Sequence, residues 1–225
     1  MHQLINLFLV LELYPRENEL KNTFLLFILV CLCFVGLSRL MAPNLFRIVF
    51  RDFFSKKTYG DSYIDSDALS PAAHVLLFFN LFITTIICLV SILEYSIPVE
   101  EMMYRCFSLV LSFFVIQQLG FRILGAFISA PLFTKNINMI TQQIWNFTGV
   151  VMFVLATLIL LNEEYKPVIK ILVFSMLFLL PFARFIKGII YAKSNNYSWF
   201  YIILYLCTLE ILPLLILGNY FRELF

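Results

Sequence analysis

Six stretches of about twenty predominantly apolar residues recur along the chain, each long enough to cross the roughly 30 Å hydrocarbon core of a bilayer as an α-helix. They fall at approximately 23–41, 72–95, 102–130, 143–161, 167–190 and 197–217. Inside a bilayer every backbone N–H and C=O must be satisfied within the protein, so only helices and closed β-barrels span. Leu, Ile, Val and 26 Phe residues run on without the apolar/polar alternation that a barrel strand needs. The expected fold is an all-α, polytopic membrane helical bundle of about six transmembrane helices. With 62% of 225 residues hydrophobic and 13% charged, the chain carries more apolar surface than one water-soluble core can hide.

Prolines and caps punctuate these stretches. Pro43 closes the first, and Ser70-Pro71 opens the second as an N-cap followed by a proline at the first helical position. The third is long enough to be tilted, bent at Gly120 or extended past the bilayer. Pro181 and Pro213 sit inside the fifth and sixth, where each removes a helix hydrogen bond and frees a carbonyl four residues back, at Leu177 and Leu209. Residues 1–22 lack the basic start and small-residue cleavage site of a secretory signal. They are expected to lie externally along the membrane as a short amphipathic helix ending near Pro15, with a fragment of a further span as the alternative. Residues 23–225 then form one transmembrane domain.

Lysine and arginine set the orientation. Ten flank one side of the spans: Arg39, Arg47, Arg51, Lys56, Lys57, Arg122, Lys135, Arg184, Lys187 and Lys193. Six flank the other: Arg16, Lys21, Arg105, Lys166, Lys170 and Arg222. The richer side is expected to be cytoplasmic and both termini periplasmic. Within the first cytoplasmic loop, NLFRIVFRDFF puts Arg47 and Arg51 on one helical face and Leu45, Ile48, Val49 and Phe53 largely on the other, with Lys56 and Lys57 following. This pattern describes a basic interfacial amphipathic helix, held by apolar burial and by anionic headgroups. The net charge of +2, with no basic cluster interleaved with aromatics in a polar context, gives no footprint for nucleic acid.

No motif announces chemistry. The chain has no phosphate-cradling glycine loop, no HExxH, no GxSxG, and only His2 and His74 as histidines. The segment DSYIDSD lacks the Gly and distal Glu of a calcium loop, and all five cysteines lie in apolar stretches without a CxxC pair. No catalytic residue, metal site or cofactor is assigned. What remains is the polar inventory of the spans: Asn80, Gln117, Gln118, Arg122, Gln142, Gln143, Asn146, Arg184 and Glu210. Charged groups in hydrocarbon are costly and face partners or pathways, so two readings compete: interhelical glue, or a polar cavity open to the cytoplasm. Glu210 with Arg184 is the one contact the spacing suggests. Gly125 with Ser129, and Ala126 with Ala130, repeat at the four-residue spacing of close helix packing.

The run FYIILYLCTLEILPLLIL, together with NLFRIVFRDFFS and the polar start of the second span, resembles an uncharacterised family of Bacteroidota inner-membrane proteins known as a domain of unknown function. The similarity covers most of the chain, and YLCTLEILPLL is its most specific part. The resemblance implies a cytoplasmic-membrane location in a Gram-negative bacterium and no established activity. It associates the chain with envelope assembly, since bacteria of that phylum often carry dedicated secretion and gliding machinery. The expected role is a non-enzymatic subunit or scaffold of an envelope complex, with the bilayer and other membrane proteins as partners. The alternatives are a small transporter or proton-linked permease using Glu210 and a membrane-embedded lipid-modifying enzyme. For a transporter, Glu210→Gln abolishes function and leaves membrane abundance unchanged.

Overall fold

The computed structural model describes residues 2–54, 69–93, 99–127, 131–162, 164–198, 200, 202–203, 215 and 218–219, with side chains from Asn22 onward except at 99, 127, 131 and 132. Six helices order the chain: α1 (His2–Met41), α2 (Leu45–Phe54), α3 (Pro71–Ile92), α4 (Val99–Phe127), α5 (Pro131–Leu161) and α6 (Lys166–Ser194). No strand occurs among the described residues. Five segments are long and apolar enough to cross a membrane: Asn22–Met41, Pro71–Ile92, Glu100–Ala126, Phe133–Leu161 and Lys166–Ser194. The protein is a helical membrane bundle. The expected sixth span lies almost wholly outside the described residues, as do Lys56, Lys57, Glu210 and Pro213.

Local chemistry accounts for the helix ends. Ser70 Oγ accepts from the backbone N–H of Ala73 at 3.3 Å and Pro71 takes the first turn, so α3 starts where the cap pattern places it. Glu100 and Glu101 occupy the first turn of α4, where carboxylates favour the positive end of the helix dipole. α6 runs through Pro181 and ends at Asn195 and Asn196, the latter in the left-handed region at φ 54°.

Two boundaries differ from the sequence reading. The backbone is helical without interruption from His2 to Met41, so no break falls near Pro15. One proline forfeits a single hydrogen bond, and the Leu, Glu, Arg and Lys residues on either side are strong helix formers. α5 begins at Pro131 rather than near 143. Its added turns are polar by composition but carry a buried stripe, Phe133, Ile137, Ile140 and Ile144, at helical spacing.

α5 is the hub and packs against every other described helix, while α3 also contacts α1 and α4. The apolar windows of α5 and α3 are 67% and 61% buried, against 17% for α6, so two helices are central and α6 presents most of its surface outward. The α3–α5 seam closes at Gly149, where an added Cβ would lie 3.0 Å from the Leu77 carbonyl oxygen and 3.2 Å from Leu81 Cβ. The main core draws on α1, α3, α4, α5 and α6 and includes Cys88, Cys106, Met152 and Val173. Cys31, Cys88 and Cys106 are buried free thiols, used as small apolar packing residues.

In α2, Leu45, Ile48 and Val49 are inward, and Arg47 and Arg51 are exposed. The inward face packs on α5. Phe53 stacks on Phe147 of α5 at 3.8 Å, and Phe50 meets the same ring edge to face at 5.3 Å. Arg39 at the end of α1 lies 5.9 Å from the Phe46 ring.

Candidate functional site

At the α2 end of the bundle, four helices bring polar groups together. His74, in the first turn of α3, and Asn146, on α5, are 2.7 Å apart through His74 Nδ1 and Asn146 Nδ2. An amide nitrogen can only donate, so Nδ1 is the acceptor in this contact. Lys187 of α6 donates from Nζ to the Asp52 backbone carbonyl of α2 at 2.9 Å, and its ammonium lies 5.3 Å from the Phe53 ring. Asp52 itself lies within electrostatic reach of Arg51, Lys187 and His74. Burial pushes its carboxyl above the ordinary carboxylate range, and the Arg51 guanidinium and Lys187 ammonium pull the other way.

Two more polar ties join helices outside this corner. Asn80 of α3 donates from Nδ2 to the Gly149 carbonyl of α5 at 2.7 Å, across the close approach just described. Asn136 of α5 donates from Nδ2 to the Tyr191 hydroxyl of α6 at 2.6 Å. The hydroxyls of Thr84, Thr85, Thr141 and Thr148 bond back to carbonyls of their own helices and need no other partner.

The residues singled out from sequence separate into three groups. Asn80 and Asn146 tie α3 to α5, as above. Arg184 is 4% exposed and Gln143 7%, and both engage partners. Gln117 is buried on α4, whereas Gln118 and Arg122 on the same helix are exposed. The proposed Arg184 partner, Glu210, lies outside the described residues. Among the described residues no group of three or more His, Cys, Asp or Glu side chains could hold a metal ion.

Neither Asp52 nor Lys187 stands out in the sequence as part of this corner, and His74 has no partner legible there. One signal was present: Lys187 falls three residues after Arg184, on the same face of α6. The contact of Lys187 with a backbone carbonyl of α2 has no such signal.

The family model for a domain of unknown function, DUF4271, matches residues 23–221. The chain belongs to the DUF4271 family. The DUF4271 match covers α2 to α6 whole, and with them every interhelical tie just described. No curated protein and no solved structure matches the chain.

Proposed function

We propose that this protein is a non-enzymatic subunit or scaffold of a cell-envelope complex in the inner membrane of a Bacteroidota bacterium, with both termini periplasmic. The observation that carries the reading is where the long-range polar contacts go. Asn80 to Gly149, Asn146 to His74, Asn136 to Tyr191 and Lys187 to Asp52 each join two different helices. Together they link α2, α3, α5 and α6 into one fixed packing. Polar groups committed to such ties stabilise and specify a framework, as expected of a membrane component whose work is to hold other proteins. The unequal distribution of Lys and Arg, ten against six, supports the orientation. The family match supports a shared role of unknown kind, and the link to secretion or gliding machinery is by association with the phylum.

Gentle solubilisation of native membranes, followed by affinity isolation of the full chain, tests the reading. A membrane partner at constant stoichiometry, retained through size exclusion, is expected. Repeated recovery of the protein as a lone monomer contradicts it, as does a reporter fusion that places Lys56 in the periplasm.

A further inference from the structure

Four buried side-chain oxygens find no hydrogen-bond partner among the described residues: Asn80 Oδ1, Gln117 Oε1, Thr134 Oγ1 and Asn138 Oδ1. Asn80 belongs to the α3–α5 seam. Thr134 and Asn138 are on α5 and Gln117 is on α4, two helices that contact each other.

Two contacts fix the register of the α4–α5 seam. A Cβ added at Gly125 would sit 3.7 Å from Thr134 Cγ2, and the rings of Phe114 and Trp145 are 5.1 Å apart, edge to face. The two contacts are eleven residues apart on each helix, in opposite directions. By helical periodicity Thr134, Asn138 and Trp145 share one face of α5. Phe114, Phe121 and Gly125 lie on the facing side of α4, and Gln117 sits on its buried flank at 1% exposure. Thr134 is then opposite Gly125, Asn138 opposite Phe121, and Gln117 level with Thr141 and Gln142. The unpartnered oxygens follow one another at about one helical turn, roughly 6 Å.

A buried oxygen without a donor carries the whole desolvation penalty, and hydrocarbon supplies no donor. Oxygens spaced about 6 Å apart cannot converge on one cation, whose ligands sit within about 2.6 Å of it. Two O–H···O steps of about 2.8 Å each do cover that spacing. Gly125 presents no side chain at the mouth, and the exposed Arg122 lies one turn from it. At the inner end Phe114 meets Phe78 at 4.8 Å, Trp145 at 5.1 Å and Phe82 at 6.0 Å, an aromatic layer one turn beyond Gln117.

We propose that the α4–α5 seam binds a file of ordered waters, entering at the Phe127 end of α4 and closed by the Phe78, Phe82, Phe114 and Trp145 layer. Gln117 is ten residues from Phe127, about 15 Å along the helix, so the file reaches near the middle of the hydrocarbon. It is a half-membrane polar path that carries water and protons as far as Gln117. The proposal goes beyond the scaffold reading and does not rest on it.

Cysteine accessibility in the full chain, with the native cysteines replaced, provides the test. Only a hydrated thiolate attacks a water-soluble methanethiosulfonate, so Thr134→Cys, Asn138→Cys and Gln117→Cys are expected to react about tenfold or more faster than Ile140→Cys and Ile144→Cys, buried on another face of α5. Val110→Cys, beyond the aromatic layer, is expected to be as slow as those controls. Rates for Gln117→Cys and Asn138→Cys no faster than Ile140→Cys overturn the proposal. A second measurement serves if cysteine variants fail to fold. In a dry seam Asn138→Leu and Gln117→Leu remove an unpaired oxygen and raise the melting temperature, whereas in a hydrated seam each lowers it by about 2–4 °C. A rise overturns the proposal.

Discussion

Replacing Gly149 by valine is expected to destabilise the bundle by on the order of 3 kcal/mol, read as a fall of about 10 °C in the melting temperature of the purified protein in detergent. The first Cβ alone would lie 3.0 Å from the Leu77 carbonyl oxygen, 3.2 Å from Leu81 Cβ and 3.4 Å from Asn80 Nδ2. Neither a helix backbone nor a Cβ can give way without moving α3. Separating the helices also lengthens the 2.7 Å bond from Asn80 to the Gly149 carbonyl and leaves a second polar atom of that asparagine unpaired. Alanine at the same position is expected to cost less, because it adds one methyl where valine adds three carbons. A valine variant that melts with the wild type contradicts the close approach of α3 and α5.

Phe147→Ala is expected to release α2. A helix of ten residues has little stability by itself, so α2 depends on what it packs against. The Phe147 ring stacks on Phe53 and takes edge contacts from Phe50 and Phe54, which makes it the main apolar surface under α2. Truncating a buried aromatic ring costs about 3–5 kcal/mol. If most of that loss falls on docking of α2, the open population rises on the order of a hundredfold, since about 1.4 kcal/mol is tenfold. Trypsin cleavage after Arg47 and Arg51 reads it out directly. Lys187→Met, which removes one hydrogen bond to Asp52 and leaves the aromatic contacts, is expected to speed cleavage far less. Equal cleavage of wild type and Phe147→Ala contradicts the packing of α2 on α5.

Much of the helical framework was legible because it depends on local chemistry. Ser70 and Pro71 start α3 by their own side chain and ring, and the alternation of Arg47 and Arg51 with Leu45, Ile48 and Val49 fixes which face of α2 turns inward. The polar start of α5 was missed because Lys135, Asn136 and Asn138 lower the average hydropathy, while the buried stripe beneath them is visible only as a period. The site was less legible. Gln117 and Gln118 are adjacent and chemically identical, yet one is 1% exposed and the other faces outward. Which of them is buried depends on the rotation of α4 against α5, and the sequence of α4 alone does not contain it. Gly149 sits at a close approach of two helices and looked like any glycine in a span, because its constraint is the Leu77 carbonyl on another helix. His74 likewise acquires its partner only through the α3–α5 register, at a separation of 72 residues.

The central claim is that the polar contacts between helices, His74 with Asn146 among them, hold the bundle in one packing. A double-mutant cycle on His74 and Asn146, with His74→Leu, Asn146→Leu and the pair compared by thermal unfolding in detergent, tests it most directly. Each single change leaves the other member of a 2.7 Å bond unpaired, so the double variant is expected to be more stable than the two losses added together. Coupling of about 0.6 to 2 kcal/mol is the range for such bonds in membrane helices. Additive losses, with no coupling between His74 and Asn146, would contradict a tie between α3 and α5.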